Sequence, residues 1–272
     1  MDKNAVRKVF GSGDIGAVLH FASLIEVGES IKNPRKYYAR NLGTSLALLD
    51  AMIEAGVGNF IFSSSAAVYG IPGHQPITEA HPLNPCNPYG ATKAMVERVL
   101  PDYDRAYGLR FVSLRYFNAS GADPEGRLGE MHDPETHLIP NILLSVLGKK
   151  PPLGVFGADF PTPDGTPIRD YIHVQDLADA HVLALRHLLE GKPSEAVNLG
   201  TNQGYSVFEV IRAVEEVTGR EVPREIRPRR EGDPPVLLAS TEKALRVLGW
   251  EPRISDIRTI IRTAWDWHRK NA

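Results

Sequence analysis

Short apolar runs alternate with longer helical patterns along the first half of this sequence. Residues 18–21, 59–62 and 110–116 have the β-branched and aromatic character of buried strands. Between them, residues 34–55 and 88–100 place apolar side chains at the spacing of amphipathic helices. Such alternation is typical of βαβ units, in which helices connect parallel strands. The sequence therefore predicts an α/β fold built on a Rossmann-like parallel sheet.

The second half of the sequence differs from the first in composition and in the length of its helical patterns. Stretches rich in Gly, Pro and Asp at residues 121–134 and 157–167 separate shorter helical patterns. Residues 196–199 have the character of a strand that returns to the sheet, and residues 207–218 and 257–268 are predicted to be amphipathic helices. We interpret this half as a smaller, loop-rich part of the molecule in which a substrate could be held.

Two local signals predict breaks in the regular elements. Pro101 continues the helical pattern that begins at residue 88, and a proline inside a helix removes a hydrogen bond and clashes with the preceding turn. We therefore expect the helix to kink or end there. The three serines at residues 63–65 are expected to form a polar turn after the strand at 59–62.

A glycine-rich segment matches the dinucleotide-binding pattern G-x-G-x-x-G at Gly11, Gly13 and Gly16. That pattern works only when it follows a strand and opens a helix, because the helix N-terminus must meet the pyrophosphate. Here residues 4–10 look helical and the strand comes afterwards, at Val18. We interpret Gly11 as the end of a helix and reject the segment as a cofactor site.

Composition excludes several classes of partner. The sequence has 31 Lys and Arg against 33 Asp and Glu, so no net basic field favours nucleic acid. Its single cysteine, Cys86, fits a reducing compartment. We find neither the apolar core of a signal peptide nor a run long enough to span a bilayer. We expect a cytoplasmic protein with no nucleic-acid partner and no membrane partner.

The histidines give little indication of a metal site. No two of them have the H-x-x-x-H spacing, and three are interpreted as ordinary helix or loop residues: His173, His181 and His187. Asp133, Glu135 and His137 alternate in one loop and could chelate an ion, but such alternation is common in solvated loops. The sequence therefore predicts no metal.

One group of residues could form a catalytic site. Tyr89 and Lys93 are four residues apart, which places a phenol and an ammonium on the same face of a helix. A free tyrosine has a pKa of about 10, so it acts as a base only if a cation stabilises the phenolate. Ser65 ends a predicted buried strand, at the sheet edge where open α/β sheets bind ligands. Together the three residues predict a proton-transfer site.

Blocks of sequence around these residues carry a family resemblance. They are residues 20–22, 27–30, 59–70, 87–93, 114–122, 136–140, 169–174 and 228–233. The sequence resembles the extended short-chain dehydrogenase/reductase family and, within it, the UDP-glucose 4-epimerases. The resemblance covers nearly the whole chain, and several blocks are far longer than a chance motif.

The resemblance implies a reaction at carbon 4 of a UDP-hexose, with tightly held NAD as the cofactor. Tyr89 would take the proton from the 4-hydroxyl group, Ser65 would hydrogen bond the reacting oxygen, and Lys93 would support the tyrosinate and bind the nicotinamide ribose. Family positions that line the cofactor correspond to Phe21, Ala22, Asn41 and Phe117, together with the three catalytic residues. Family positions that hold the UDP moiety correspond to Asn118, Leu138, Gly154, Phe156, Arg169, Tyr171, Arg230 and Asp233.

Single residues bear on whether the chain catalyses a related reaction on a nucleotide sugar. Dehydratases of nucleotide sugars resemble this sequence but place an Asp-Glu pair directly after the position of Ser65, where this chain has Ala66 and Ala67. Methyl groups cannot replace carboxylates in eliminating water, so dehydration is not expected. Epimerisation of a UDP-N-acetylhexosamine or a UDP-uronate stays open. The family position that governs acceptance of a bulky 2-substituent corresponds to Leu237.

The start of the sequence departs from the family pattern. In the family, a strand, a glycine-rich turn, a helix and further βα units precede the strand at Val18, and Ile25 stands where many members have a lysine that reaches the cofactor. We therefore expect an N-terminally truncated epimerase that lacks the adenine and pyrophosphate half of the cofactor site. The alternative is a catalytically impaired, NAD-deficient remnant that retains UDP-sugar binding.

Two expectations concern organisation. Residues 1–118, with returning segments near 168–200, would form a partial NAD-binding Rossmann domain, and residues 119–272 would mainly form a UDP-sugar-binding domain. The resemblance also implies a homodimer, because family members commonly pair through the helices that correspond to residues 34–55 and 88–107.

Overall fold

The main sheet of the protein consists of parallel strands. The structure is a computed structural model that describes residues 3–230 and 232–271. These residues contain ten strands: β1 (Val18–His20), β2 (Asn59–Ser65), β3 (Arg110–Tyr116), β4 (Asn118–Ser120), β5 (Leu153–Phe156), β6 (Ile168–His173), β7 (Glu195–Leu199), β8 (Gly204–Ser206), β9 (Arg224–Arg227) and β10 (Val236–Leu237). Four of them form the main sheet in the order β1-β2-β3-β7. The predicted α/β fold with a parallel sheet is confirmed.

Helices connect and cover these strands. They are α1 (Lys3–Phe10), α2 (Val27–Lys32), α3 (Pro34–Tyr37), α4 (Gly43–Glu54), α5 (Pro88–Tyr107), α6 (Leu138–Val146), α7 (Val174–Leu189), α8 (Val207–Thr218), α9 (Glu242–Leu248) and α10 (Ile257–Asn271). A π-helical turn joins α3 to α4, so the predicted helix over 34–55 is nearly continuous. Among the residues described, no helix combines the length and apolarity needed to cross a bilayer.

The main sheet is covered on both faces. On one face, Phe60 and Phe62 of β2 pack with Met52 of α4 and Leu100 of α5. The opposite face packs against α7 and α9, and the buried indole of Trp250 donates a hydrogen bond to the Asp176 carbonyl oxygen at 2.9 Å. The central strands β2 and β3 are therefore buried on both faces, which explains their near-continuous apolar runs in the sequence.

The second half of the chain builds two smaller sheets. One contains β10, β6 and β4 in that order, with β8 antiparallel to β6, and the other pairs β5 with β9. Helices α6, α8 and α10 supply a separate apolar core for these sheets. The predicted helix over 207–218 has the bounds of α8, whereas the predicted helix over 257–268 extends to Asn271 in α10.

The expectation that the helix ends at Pro101 is wrong. Helix α5 continues through Pro101 to Tyr107 and ends at Gly108, which has a positive φ of 69°. Pro101 lies on the exposed side of the helix, while Leu100 and Tyr103 on either side of it pack into the core. Tertiary packing of both halves therefore outweighs the hydrogen bond that the proline cannot donate.

The expectation of a polar turn at residues 63–65 is also wrong, because β2 extends to Ser65. Ser63 and Ser64 are buried within the sheet, and Ser64 donates a hydrogen bond to the Glu97 carboxylate. Their hydroxyl groups are satisfied by neighbouring elements, so the strand can remain regular. Ser65 consequently lies at the carboxyl edge of the sheet, paired in register with Tyr116 of β3.

Helix α1 precedes β1, as the sequence predicted. The Gly11 N–H donates to the Arg7 carbonyl oxygen at 2.9 Å, which closes the helix, and an irregular segment follows up to Val18. The glycine-rich match therefore lies between a helix and a strand, in the order opposite to that of a dinucleotide-binding turn.

Candidate active site

Ser65 ends β2 and starts a short 3-10 turn over Ala66–Tyr69. Its side-chain oxygen accepts a hydrogen bond from the Ala67 N–H at 3.1 Å. This bond caps the turn and holds the hydroxyl group at the carboxyl edge of the sheet. Ser65 is only partly buried, so the hydroxyl can also reach a ligand.

Tyr89 lies in the first turn of α5. The Asn87 side chain caps this helix by accepting a hydrogen bond from the Gly90 N–H at 2.9 Å. A Cβ atom at Gly90 would lie 2.4 Å from the Ala67 carbonyl oxygen, so only glycine lets α5 approach the turn after Ser65 this closely. Burial raises the pKa of Tyr89, and interaction with the Ser65 hydroxyl opposes this shift.

Lys93 lies one helical turn after Tyr89 and is 3% exposed. Its Nζ donates to the Ser63 carbonyl oxygen at 2.6 Å and to the Ser23 hydroxyl at 2.9 Å. The same nitrogen is 5.9 Å from the centroid of the Tyr89 ring. Burial lowers the pKa of Lys93 to about 7, and the carboxylate of Glu97 opposes this shift. The predicted serine, phenol and ammonium are therefore together at one edge of the sheet.

A buried ion pair lies beneath Lys93. Arg115 of β3 donates to both carboxylate oxygens of Glu97, with Nη2–Oε2 at 2.5 Å and Nε–Oε1 at 3.0 Å. Arg115 also donates to the Tyr69 hydroxyl at 2.7 Å, which in turn donates to Asn198. This network was not predicted from the sequence. The only signal for it was the spacing of Glu97, four residues after Lys93 and thus on the same helical face.

The four predicted cofactor-lining positions do not have equivalent environments. Phe21 and Ala22 follow β1 and are exposed, and the Phe21 ring is 4.7 Å from that of His181. Asn41 is buried, with Oδ1 accepting from the Leu24 N–H at 2.8 Å and Nδ2 donating to the Leu24 carbonyl oxygen at 2.9 Å. Its amide therefore fixes the loop after β1. Phe117 is partly buried between β3 and β4.

All eight positions predicted to hold UDP line one pocket of about 430 Å³. Asn118 begins β4, two residues beyond Tyr116, the register partner of Ser65. This short connection places the pocket beside the Ser65–Tyr89–Lys93 site. The remaining seven positions are Leu138 at the start of α6, Gly154 and Phe156 in β5, Arg169 and Tyr171 in β6, and Arg230 and Asp233 in the loop before β10.

Positive charge dominates the walls of this pocket. Arg169 forms an ion pair with Asp233, and the Arg230 guanidinium lies 4.1 Å from the centroid of the Phe156 ring. Lys150 and Arg227, which the sequence analysis did not single out, also line the pocket. Four cationic side chains and one carboxylate make the pocket suited to a di-anionic ligand such as a diphosphate.

Contacts between distant segments place the two cations that the sequence did not indicate. Lys150 ends a Gly-Lys-Lys segment that returns the chain from α6, and its Nζ donates to the Asn141 side-chain oxygen at 2.7 Å. Arg227 belongs to β9, whose pairing with β5 places it opposite Phe156. Neither placement follows from local spacing, because both depend on which distant segments pair.

The three histidines interpreted as ordinary residues contact protein groups. His173 Nδ1 accepts from the Gln175 N–H at 3.0 Å, and His187 Nε2 lies 2.8 Å from the Pro193 carbonyl oxygen. The two nitrogens of His181 contact the Tyr116 hydroxyl and the Leu177 carbonyl oxygen. Each ring therefore has at least one nitrogen in contact with a protein group, although Nδ1 of His187 is buried without a hydrogen-bond partner among the residues described.

Comparison with known proteins gives consistent matches. The profile of the NAD dependent epimerase/dehydratase family matches residues 1–200. A UDP-glucose 4-epimerase of Streptococcus mutans is 50% identical over 268 residues, which are 98% of this chain and 80% of that enzyme.

Two solved structures are similar in fold as well as in sequence. The crystal structure of UDP-glucose 4-epimerase from Brucella ovis in complex with NAD has a TM-score of 0.95 at 51% identity, over 97% of this chain and 82% of that one. The UDP-glucose 4-epimerase from Bifidobacterium longum in complex with NAD+ and UDP has a TM-score of 0.94 at 41% identity, over 99% of this chain and 81% of that one.

Proposed function

The chain belongs to the NAD dependent epimerase/dehydratase family. We propose that its site at the edge of the main sheet inverts the configuration at carbon 4 of a UDP-hexose. The resemblance found in the sequence is confirmed by the matches to UDP-glucose 4-epimerases. The reaction is the NAD-dependent interconversion of UDP-glucose and UDP-galactose through a 4-keto sugar. The alternative of a remnant that only binds UDP-sugars is not favoured.

Proton transfer is assigned to Tyr89. Burial disfavours the tyrosinate, so the phenol needs a cation to act as a base at neutral pH. Lys93 is the cation on the same helical face, 5.9 Å from the ring centroid. Tyr89 takes the proton from the 4-hydroxyl group and returns it after the sugar has turned, while Ser65 hydrogen bonds the reacting oxygen.

The residues around Lys93 fit the nicotinamide end of NAD. Ser23 and Lys93 present a hydroxyl and an ammonium, which are suited to ribose hydroxyl groups, next to the exposed ring of Phe21. Phe21, Ala22 and Phe117 would line the cofactor, and Asn41 would act by fixing the loop at Leu24. When bound, NAD supplies the hydride acceptor that the reaction at carbon 4 requires.

The cationic pocket is assigned to the UDP moiety. Arg169 and Arg230 would contact the diphosphate, because guanidinium groups bind phosphate oxygens through paired donors. Phe156 and Tyr171 offer aromatic surface for the base. Asp233 would orient Arg169 through their ion pair. The positions that complete the pocket are Asn118, Leu138, Gly154 and Asp233.

We further propose that the two ligands are divided between two parts of the chain. Residues 1–118, with segments near 168–200, would carry NAD, and residues 119–272 would mainly carry the UDP-sugar. The separate apolar cores of the main sheet and of the α6–α8–α10 layer support this division.

A homodimer is proposed on the family resemblance and on exposed apolar side chains. Met95 is 42% exposed and Tyr107 is 61% exposed. Both lie on α5, one of the two helices through which the family resemblance implies that two copies pair. Large apolar side chains at an exposed helix surface are suited to an interface with a second copy.

The observation that carries the proposed function is the meeting of Ser65, Tyr89 and Lys93 beside a cationic pocket. The test is conversion of UDP-galactose by the purified chain with added NAD, performed in deuterium oxide and followed by NMR. A hydride mechanism retains the original hydrogen at carbon 4, so we expect UDP-glucose without deuterium at that carbon. No conversion, or deuterium incorporated at carbon 4, would overturn the proposal.

A further inference from the structure

A cluster of ligand-type side chains lies outside the proposed catalytic residues, in the loop that leads into α6. Its members are Glu130, His132, Glu135 and His137, whose potential ligand atoms all lie within 4.8 Å of one another. We propose that this cluster is a binding site for a divalent transition-metal ion of the zinc type. From the sequence, Asp133, Glu135 and His137 were the possible ligands, and no metal was predicted. Two of those residues belong to the cluster, Asp133 does not, and Glu130 and His132 complete it.

The spacing of the ligand atoms fits a tetrahedral ion. His132 Nδ1 is 2.8 Å from Glu130 Oε1 and 3.8 Å from Glu135 Oε2, and His137 Nδ1 is 3.8 Å from Glu135 Oε1. Zinc bonds to His and carboxylate ligands are about 2.0–2.2 Å, which separates neighbouring ligand atoms by roughly 3.3 Å. The observed distances lie on both sides of that value, so an ion requires only small side-chain adjustments.

The carboxylate of Glu135 is held in place before any ion binds. Glu135 is 3% exposed at its side chain, and Oε1 accepts hydrogen bonds from the Thr136 and His137 N–H groups, both at 2.8 Å. Its Oε2 faces His132 Nδ1 at 3.8 Å, beyond hydrogen-bond distance. A buried carboxylate with one oxygen fixed by backbone donors and the other aimed at an imidazole is oriented as a metal ligand.

The other end of the loop is anchored against α10. The Trp267 indole donates to the Glu130 carbonyl oxygen at 3.2 Å. A Cβ atom at Gly129 would lie 2.3 Å from the Trp267 ring, so glycine is needed for this contact. Glu130 Oε1 is approached by Nδ1 of both His132 and His137. Metal ligation requires both imidazoles to be neutral, and the two carboxylates then give the cluster a charge of −2 that a dication neutralises.

The expected role of the ion is structural. His137 is the N-cap residue of α6 and lines the proposed UDP pocket with Leu138. An ion bound by residues 130–137 would connect α10, the loop and the start of α6. It would therefore stiffen one wall of the pocket without taking part in the reaction at carbon 4.

The test titrates metal-stripped full-length protein with Zn²⁺ by calorimetry and measures metal content after dialysis. We expect one Zn²⁺ per chain, and at least about tenfold weaker binding in His132→Ala and in Glu130→Gln. His74→Ala removes an exposed histidine next to His81, outside the cluster, and should bind as the parent does. Excess Mg²⁺, which prefers oxygen ligands, should not displace Zn²⁺.

Bound Co²⁺ gives a second readout, because a tetrahedral site with imidazole ligands produces visible absorption bands that an ion-paired cluster does not. These bands should appear in the parent and in His74→Ala and be absent in His132→Ala. Circular dichroism of the metal-free variants checks that they fold. Absence of stoichiometric Zn²⁺ binding, or equal affinity in the parent and both cluster variants, would overturn the proposal and leave an ordinary histidine–glutamate ion pair.

Discussion

At the scale of single residues, the site depends on a lysine whose charge is costly to bury. Lys93 is 3% exposed, and its ammonium is held by one carbonyl oxygen, one hydroxyl group and the distant charge of Glu97. The position of Lys93 relative to Tyr89 was predictable, because helical geometry fixes residues four apart. The identity of its partners was not, because Ser23 lies in the loop after β1 and Ser63 in β2, both distant from α5 in the sequence.

Replacing Lys93 by methionine should change how stability depends on pH. Burial lowers the lysine pKa from 10.5 to about 7 in the folded protein. Between these two pH values Lys93 is mostly protonated in the unfolded chain and mostly neutral in the folded protein. The free energy of unfolding of the parent should therefore rise with pH across this window, by up to about 1.4 kcal/mol per pH unit from this group. Lys93→Met should lack this contribution.

The measurement is urea denaturation at several pH values without added NAD, comparing the two proteins. Their difference removes the contribution of groups that do not interact with Lys93 and keeps that of Lys93 and of its electrostatic partner His20. Identical slopes of stability against pH in the parent and in Lys93→Met would contradict the buried, shifted lysine.

At the scale of elements, the site requires close contact between the first turn of α5 and the turn after β2. Gly90 permits that contact, since a Cβ atom there would lie 2.4 Å from the Ala67 carbonyl oxygen. The alternation of strands and helices was predictable from hydrophobic periodicity. The end of β2 was not, because the burial of Ser63 and Ser64 depends on partners such as Tyr116 and Glu97.

Gly90→Ala should reduce turnover with little effect on UDP affinity. The added methyl group pushes α5 away from Ser65 and displaces the Tyr89 hydroxyl, and a shift of about 1 Å can cost on the order of 100-fold in rate. The UDP pocket is built by other elements and should bind normally by calorimetry. Gly43→Ala is the matched control, because its Cβ atom meets its nearest neighbour at 3.8 Å. Equal turnover in Gly90→Ala and the parent would show that the contact is dispensable.

Helix α5 also carries a proline that the sequence analysis expected to break it. Pro101 is tolerated because Leu100 and Tyr103 pack into the core around it, although the helix still lacks one hydrogen bond. Pro101→Ala should therefore raise the free energy of unfolding by about 1–3 kcal/mol, measured by urea denaturation. Pro88→Ala is the control, since a proline in the first helical turn loses no hydrogen bond. A Pro101→Ala variant less stable than the parent would refute this interpretation.

At the scale of the whole molecule, the proposed homodimer can be tested at one exposed position. Met95→Arg places a charge on the exposed surface of α5 and should shift the protein from dimer to monomer in sedimentation experiments. Leu189→Arg changes a side chain that is 60% exposed on α7, which covers the other face of the main sheet, and should leave the dimer intact. A monomeric parent, or a Met95→Arg variant that dimerises as tightly as the parent, would contradict the proposed interface.

The assembly of the proposed UDP pocket also depends on the whole molecule. Sequence blocks indicated which residues would hold UDP, and all eight line one pocket although they come from five separate segments. Their assembly follows from the pairing of β4 with β6 and of β5 with β9, which local sequence does not specify. Lys150 and Arg227 were missed for this reason.

The central claim is that Tyr89 is the base for epimerisation at carbon 4, next to an independently formed UDP pocket. The most direct test measures conversion of UDP-galactose to UDP-glucose and UDP affinity for Tyr89→Phe, with Tyr107→Phe on the same helix as the control. Tyr89→Phe should lose at least about 100-fold in turnover and keep its UDP affinity, while Tyr107→Phe should match the parent. Turnover of Tyr89→Phe at the rate of the parent would contradict the account.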